Sequence, residues 1–124
     1  MKGPSREVRE LCGERDQARC VICGKPLYGI TASLHHRRMR SHPYDAMHKA
    51  ANLIWVCGSG TTFCHGMIHA NPAPAYKMGW LVHSYETAVN VPIYTWHGWM
   101  MLGNDGKMVK ADVENTKNAG TVNR

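Results

Sequence analysis

The feature that most constrains the fold of this chain is a set of four cysteines arranged in two pairs. The first pair forms a C-x-x-C stretch and the second flanks a glycine-containing loop, so the four residues are Cys20, Cys23, Cys57 and Cys64. A C-x-x-C turn lets two thiolates bind one zinc ion, and a second pair closes a tetrahedral site. In a chain of 124 residues, such a site would supply stability that a small core lacks. The spacing therefore predicts a structural zinc site.

The cellular location is predicted from what the sequence lacks. It has no apolar run of about 18 residues, and "MKGPSREVRE" at its start has no hydrophobic signal region. We therefore expect a cytoplasmic protein with no membrane association, whose thiols stay reduced and are used for metal and not for disulfides. The fifth cysteine, Cys12, has no partner at ligand spacing and is expected to be a small buried apolar residue.

The local patterns predict one small α+β unit. An amphipathic helix is expected from Ser5 to about residue 19, and short strands in "ITASLHH", "LIWVCG", "GWLVHSY" and "PIYTWHGWMML". A further helix is expected from Cys64 to about Ala70, where "NPAP" stops it, and "GNDGK" predicts a β-hairpin turn near the C-terminal end. These elements make a single domain over residues 1–110, followed by a flexible tail at 111–124.

The stretch "CHGMIH" divides its ligands between two sites. Successive residues on an α-helix are turned by about 100°, so Cys64 and His65 cannot face one metal, whereas His65 and His69 lie on one face. Cys64 therefore completes the thiolate set. The segment "LHHRRMR" offers His35 and His36, which at a strand end can flank one cavity, one as a metal ligand and the other as a free base. Three histidines leave coordination positions open, which is typical of a catalytic metal.

Taken in order, the pattern "C-x-x-C … LHHR … N … C … CHGMIH" resembles the HNH endonucleases of the ββα-metal (His-Me finger) superfamily, in the zinc-stabilised form found among bacteriophage proteins. The resemblance covers about Cys20 to Asn71, an expected core of residues 20–71, and the terminal hairpin is similar to the tail of actinobacteriophage members. It implies a hydrolase that cleaves DNA phosphodiester bonds with a divalent metal.

The resemblance also implies roles for individual residues. His35, His65 and His69 would ligate the catalytic divalent metal, and His36 would be the general base. Asn52 would hydrogen-bond across the motif and hold the segment that bears the base. Many family members have Asp where this chain has His35. An all-histidine set is softer, which argues against a simple Mg²⁺ preference and leaves Mn²⁺, Ni²⁺ and Zn²⁺ as candidates beside Mg²⁺.

Three arginines follow the expected base, namely Arg37, Arg38 and Arg40, in a chain whose net charge is +6. A strand would direct Arg38 and Arg40 to the same side as His36. All three arginines are expected to contact DNA phosphates, and Arg38 to neutralise charge during catalysis. A solvated basic face is the alternative interpretation of such a run. The resemblance adds a phage terminase or packaging complex as a partner, with the host cytoplasm as the location.

Two rival interpretations use the same residues. The spacing of Cys20, Cys23, His36 and His42 also fits a DNA-reading zinc finger, although Pro43 disfavours helix at His42. Alternatively, the chain is a non-catalytic, zinc-stabilised module that binds nucleic acid. The remaining histidines are expected to be ordinary surface or packed residues: His42, His48, His83 and His97. The tryptophans are expected in the core, although one exposed tryptophan could contact DNA: Trp55, Trp80, Trp96 and Trp99.

Overall fold

The computed structural model describes residues 3–41 and 44–112, which form a small α+β fold of three α-helices and two antiparallel sheets. The elements in chain order are α1 (Arg6–Arg15), β1 (Ala32–His36), a 3-10 helix (Ala50–Asn52), β2 (Leu53–Cys57), α2 (Phe63–Ala70), α3 (Pro72–Lys77), a second 3-10 helix (Ala88–Asn90), β3 (Ile93–Thr95), β4 (Gly98–Leu102) and β5 (Met108–Lys110). The tail expected at 111–124 lies outside the described residues from position 113 onward. Within the described ranges, no helix combines the length and apolar character needed to cross a bilayer.

Helix α1 begins at a side-chain cap and ends at a change of backbone conformation. The Ser5 hydroxyl accepts a backbone N–H of the first turn, which satisfies one of the donors left free at a helix start. The helix buries Cys12 completely, which confirms its expected role as a small apolar residue. It ends at Arg15, earlier than predicted, because Gln17 and Ala18 have φ values of 59° and 54°, outside the range of a right-handed helix.

Strand β1, the first 3-10 helix, strand β2 and helix α2 follow one another along the chain and carry most of the residues of interest. The two strands are antiparallel, with Ala32 opposite Cys57 and His36 opposite Leu53. Leu53, Ile54 and Val56 of β2 are fully buried, as an apolar run predicts. After the loop that follows β2, α2 occupies almost the range expected from the sequence. The order strand, strand, helix therefore places the C-terminal end of β1, the start of β2 and one face of α2 close together.

The C-terminal sheet confirms the predicted hairpin and adds a strand to it. Strands β4 and β5 pair across the "GNDGK" turn, and β3 pairs with the other edge of β4. Ile93, Met100 and Leu102 of this sheet join Ile54 and Val56 of β2 in one buried cluster. The two sheets therefore share a core on the face of β2 that carries Ile54 and Val56, and His35, which is opposite Ile54, lies on that same face.

The strand predicted in "GWLVHSY" is wrong. Leu81 and Val82 are buried as their apolar character requires, yet the backbone makes no ladder within the described chain. The N–H groups of Trp80 and Leu81 donate to the carbonyl of Ala75, and that of Val82 donates to the carbonyl of Arg37. The apolar pattern therefore reflects burial and not strand pairing. The N–H groups of this segment do not need a partner strand, because carbonyls of a helix and a loop accept them.

The tryptophans lie nearer the surface than expected. Trp55, Trp80 and Trp99 are half-buried, and Trp96 is exposed on the C-terminal sheet. The core of the described chain is therefore built mainly from aliphatic side chains, and the indoles cover its edges.

Candidate functional site

Four cysteine sulfurs lie together where the C-x-x-C turn meets the end of β2 and the start of α2. The sulfur atoms of Cys20, Cys23, Cys57 and Cys64 are all within 4.8 Å of one another, so the four cysteines could hold a metal ion. The Sγ atoms of Cys23 and Cys57 are 3.8 Å apart. Two sulfurs bound to one tetrahedral zinc at the usual bond length are also about 3.8 Å apart. The pairing predicted from spacing is confirmed at the level of a four-sulfur cluster.

Local backbone structure brings these sulfurs together. The turn closes through a hydrogen bond from the Gly24 N–H to the Cys20 carbonyl of 2.8 Å. Cys57 is the last residue of β2, and Cys64 lies in the first turn of α2. Burial raises the pKa of Cys64, and the neighbouring thiols of Cys20 and Cys57 raise it further. A cation among the sulfurs would offset this cost, which is a reason to expect one there.

The alternative zinc-finger pairing is wrong in the part of the chain that the structure describes. Cys57 and Cys64, and not histidines, complete the set begun by Cys20 and Cys23. His36 instead contacts His48. His42, the fourth ligand that a finger would need, lies outside the described residues.

Three histidines form a second cluster on the other side of α2. The ligand nitrogens of His35, His65 and His69 are all within 4.8 Å of one another. The Nε2 atoms of His65 and His69 are 3.2 Å apart, and two nitrogens bound to one tetrahedral metal are separated by about 3.3 Å. The prediction that "CHGMIH" divides between two sites is therefore confirmed by the geometry of both clusters.

The orientation of His35 leaves one ring nitrogen available to the cluster. Its Nε2 lies 2.8 Å from the carbonyl oxygen of Trp80. Because a carbonyl only accepts, Nε2 carries the hydrogen and Nδ1 keeps its lone pair for the side of His65 and His69. Burial lowers the pKa of His35 to about 3, with a smaller contribution from the neighbouring imidazoles. The ring is therefore neutral at pH 7 and can act as a ligand.

A cleft of about 270 Å³ opens over this cluster. It is lined by Leu34, His35, His36, Met39, Arg40, His65 and His69. The adjacent His35 and His36 both line it because β1 ends at His36, where strict alternation of side chains no longer applies. This arrangement is the one expected for a ligand and a free base at a strand end.

His36 has a partner that the sequence did not indicate. Its Nε2 lies 3.0 Å from Nδ1 of His48, and the two rings meet edge to face. Burial, together with the charges of His48 and Arg40, lowers the pKa of His36 to about 4. The His36 ring is thus neutral at pH 7 and half-buried in the wall of the cleft. His48, expected to be an ordinary surface or packed residue, is half-buried against His36, a contact that no ligand-like spacing could have indicated.

Asn52 is fully buried and ties together the backbone on both sides of the cleft wall. Its Oδ1 accepts the N–H of Arg38 at 2.7 Å, and its Nδ2 donates to the carbonyl of Met47 at 2.9 Å. Its own carbonyl accepts the N–H of Arg37 at 2.7 Å. These are hydrogen bonds across the motif of the kind expected for Asn52, and they fix the segment that follows His36.

The expectation that Arg37 contacts DNA is wrong. Its side chain is completely buried, and its guanidinium donates to four backbone carbonyls, those of Ala51, Gly79, Ala88 and Val91. A planar fork of five N–H donors suits several carbonyls at once. Arg37 therefore joins the first 3-10 helix to Gly79 and to the second 3-10 helix with the residue that follows it, and its charge does not reach the surface.

Arg38 and Arg40 do not share a direction, contrary to the strand-based prediction. Arg40 is exposed and lines the cleft. The guanidinium of Arg38 lies over the ring of Tyr44, 4.1 Å from its centroid, and donates to the carbonyl of Glu86. The difference arises because the chain leaves the strand after His36. Of the three arginines, only Arg40 lines the cleft.

Comparison of the chain with models of protein families, with curated proteins and with solved structures gave no match. The functional interpretation therefore depends on the geometry of the two clusters and on the motif resemblance.

Proposed function

We propose that the protein is a metal-dependent DNA endonuclease of the HNH type, whose ββα-metal core consists of β1, β2 and α2. The observation that carries this proposal is one cleft lined by three imidazoles at ligand separation and by a fourth, His36, beside them. Three ligands and an adjacent neutral base are the parts needed to hydrolyse a phosphodiester. The basic net charge of +6 supports a polyanionic substrate.

The donor set fits a divalent cation. His35, His65 and His69 provide three nitrogens at suitable separation, and the cleft leaves the remaining coordination positions open to solvent and substrate. A divalent cation held there would polarise the scissile phosphate and stabilise the departing oxygen. Imidazole ligands suit Zn²⁺ and Ni²⁺ better than Mn²⁺ or Mg²⁺, which prefer oxygen ligands.

His36 is proposed to accept the proton of the attacking water. Its Nε2 is engaged with His48, so Nδ1 is the atom left to take the proton. The water oxygen forms a bond to phosphorus as the bond from phosphorus to the 3′ oxygen breaks, and the products end in 5′-phosphate and 3′-hydroxyl. A neutral imidazole at pH 7 is suited to this step.

The residues around the base would position it and hold the strand. Asn52, through its bonds to the backbone of Arg38 and Met47, keeps the segment after His36 in place. Arg40 at the rim of the cleft would contact a phosphate and set the position of the strand without reading its sequence. Arg38, held against Tyr44, is proposed to contact a phosphate farther from the cleft.

The four-cysteine cluster is proposed to hold a structural Zn²⁺. The motif resemblance further leads us to propose a role in bacteriophage DNA packaging, with a terminase as partner and the host cytoplasm as the location. This role is separate from the chemistry of the cleft and is tested separately, by co-purification with a terminase.

The test is cleavage of supercoiled plasmid DNA in the presence of Mg²⁺, Mn²⁺, Ni²⁺ or Zn²⁺. We expect cleavage to require added metal and to fall at least a hundredfold in His36→Ala, whose zinc content and melting temperature should stay at wild-type values. His97→Ala, which removes an exposed histidine outside the cleft, is the matched control.

Cleavage by His36→Ala at the wild-type rate would reject the assignment of the base. DNA binding without cleavage in any of the four metals would favour the non-catalytic nucleic-acid-binding module instead.

A further inference from the structure

Three aromatic rings form a stack next to the cleft, which we call the ring stack (Tyr76, His83 and Tyr85). The rings of Tyr76 and His83 have centroids 4.0 Å apart and planes within 3° of parallel. The rings of His83 and Tyr85 are 5.0 Å apart and within 7° of parallel. Tyr85, at the outer end, is 78% exposed. A large aromatic ring is thus aligned by two others and presented to solvent.

The ring stack is joined to the elements that form the cleft. Tyr76 packs on the buried cluster that contains Ile68, which lies on α2 between the two helix histidines. Val82, the residue before His83, donates its N–H to the carbonyl of Arg37, next to His36. The stack is therefore connected, through Tyr76 and Val82, to the elements that form both walls of the cleft.

We propose that the ring stack is a stacking platform for an unpaired base of the DNA strand that enters the cleft. This inference depends on the proposed nuclease function, because that function supplies the strand. Every nucleobase has a π-face that stacks on an aromatic side chain, whatever its sequence. Bases inside a duplex are already stacked on their neighbours, so the platform would select DNA with single-stranded or frayed segments near the cut.

Charged groups of both signs lie beside the stack: the Glu86 carboxylate accepts the backbone N–H of His83 at 3.2 Å, and Arg38 brings a guanidinium to the same segment. The guanidinium of Arg38 donates to the carbonyl of Glu86, the residue after Tyr85, and so lies beside the platform. A cation next to an exposed ring is the combination that single-strand binding surfaces use, with the cation near phosphate and the ring under a base. Arg38, which does not line the cleft, acquires a use as the phosphate contact of the stacked nucleotide.

The experiment measures binding of a short single-stranded deoxyoligonucleotide containing 2-aminopurine, and of the duplex of the same sequence, to zinc-loaded protein without added divalent metal. We expect Tyr85→Ala to weaken single-strand binding about tenfold and to abolish quenching of 2-aminopurine. Tyr85→Trp should retain both, and duplex binding should change little. Tyr28→Ala is the matched control, since Tyr28 is 81% exposed and lines a different cavity.

The inference is overturned if Tyr85→Ala binds single-stranded DNA as tightly as the wild type does. It is also overturned if the variant loses affinity equally for single-stranded and duplex DNA. The same proteins are assayed for plasmid cleavage, which separates this inference from the nuclease proposal. If Tyr85→Ala loses base stacking and the wild-type protein cuts no DNA, the stacking platform is supported and the nuclease proposal is rejected. A wild-type protein that binds neither DNA and cuts no plasmid would reject both.

Discussion

The sulfur cluster and the histidine cluster share helix α2, yet they differ in the number of donor atoms and in how far they open to solvent. The sulfur cluster has four donors, two of them completely buried, from a turn, a strand end and a helix start. The histidine cluster has three donors, of which His35 is buried and His69 is exposed, and it opens into a cleft. Four donors complete a tetrahedral ion, whereas three leave positions for substrate.

This difference indicates how one short helix can serve stability and chemistry together. Cys64 and His65 are neighbours in sequence but face different clusters, because one residue of helix is a rotation of about 100°. The sulfur cluster joins segments that are distant in the chain, so its loss should affect the whole fold. The histidine cluster lies at the surface of that fold, so its loss should affect the chemistry alone.

The largest expected effect comes from truncating one donor in each cluster. We expect Cys57→Ala to lose its zinc and to unfold, a cost on the order of 10 kcal/mol, because metal binding and folding are coupled in small zinc domains. His65→Ala should keep its zinc and lose about 1 kcal/mol or less, while cleavage is lost. Zinc content by mass spectrometry and thermal melting by circular dichroism measure both.

Cys12→Ala is the matched control for the cysteine variant, since it removes a completely buried thiol outside the cluster. It should retain zinc and lose about 1 to 2 kcal/mol of stability from the cavity alone. Full zinc occupancy in Cys57→Ala would show that the two clusters do not differ in the way described.

A smaller effect is expected at Gly66, which lies on α2 between the clusters. A Cβ at this position would be 2.5 Å from the carbonyl carbon of Thr61, so the helix would have to move away from the loop before it. We expect Gly66→Ala to cost about 2 kcal/mol and to weaken both zinc retention and cleavage. Gly60→Ala, whose Cβ meets nothing within 4 Å, is the control.

Loss of cleavage with unchanged zinc affinity in Gly66→Ala would contradict this view, because it would mean that the helix can tilt at one cluster and stay fixed at the other. Denaturant unfolding, competition with a zinc chelator and plasmid cleavage together distinguish the two results.

The sequence predicts the parts of this site that depend on local geometry. The cysteine spacing identified the four sulfurs, and the helical period separated Cys64 from His65 and His69. It failed where the partners are backbone groups or distant side chains. The burial of Arg37 depends on four carbonyls, and a carbonyl leaves no trace in a sequence because every residue has one.

The same limit applies to the fold. Apolar runs located β2 and the C-terminal sheet, yet the similar run "GWLVHSY" forms no strand, since its N–H groups donate to Ala75 and Arg37. Hydrophobicity reports burial, and burial alone does not say which backbone groups pair. His48 belongs to this class too, because its loop is brought to His36 by the fold and not by any spacing.

The smallest effect, and the one that examines the open cluster most finely, is expected at His48. Its Nδ1 lies 3.0 Å from His36 Nε2, and its own Nε2 is buried without a hydrogen-bond partner among the described residues. If His48 donates, His36 must carry its hydrogen on Nδ1 and cannot take a proton from water there. If His48 accepts, Nδ1 of His36 is free to act, so the proposed mechanism requires His48 to be the acceptor.

His48→Leu removes this acceptor, and we expect the single-turnover cleavage rate to fall about tenfold, or about 1.4 kcal/mol in the barrier, with zinc content unchanged. His48→Asn should recover part of the rate, because its side-chain oxygen can reach the place of the imidazole Nδ1 and accept from His36. Nitrogen chemical shifts of His36 would report which ring nitrogen carries the hydrogen in each variant. Equal rates for the Leu and Asn variants would reduce His48 to a packing residue, since only an acceptor distinguishes them at that position. If the nitrogen shifts show that Nδ1 of His36 carries the hydrogen in the wild type, His36 is rejected as the general base.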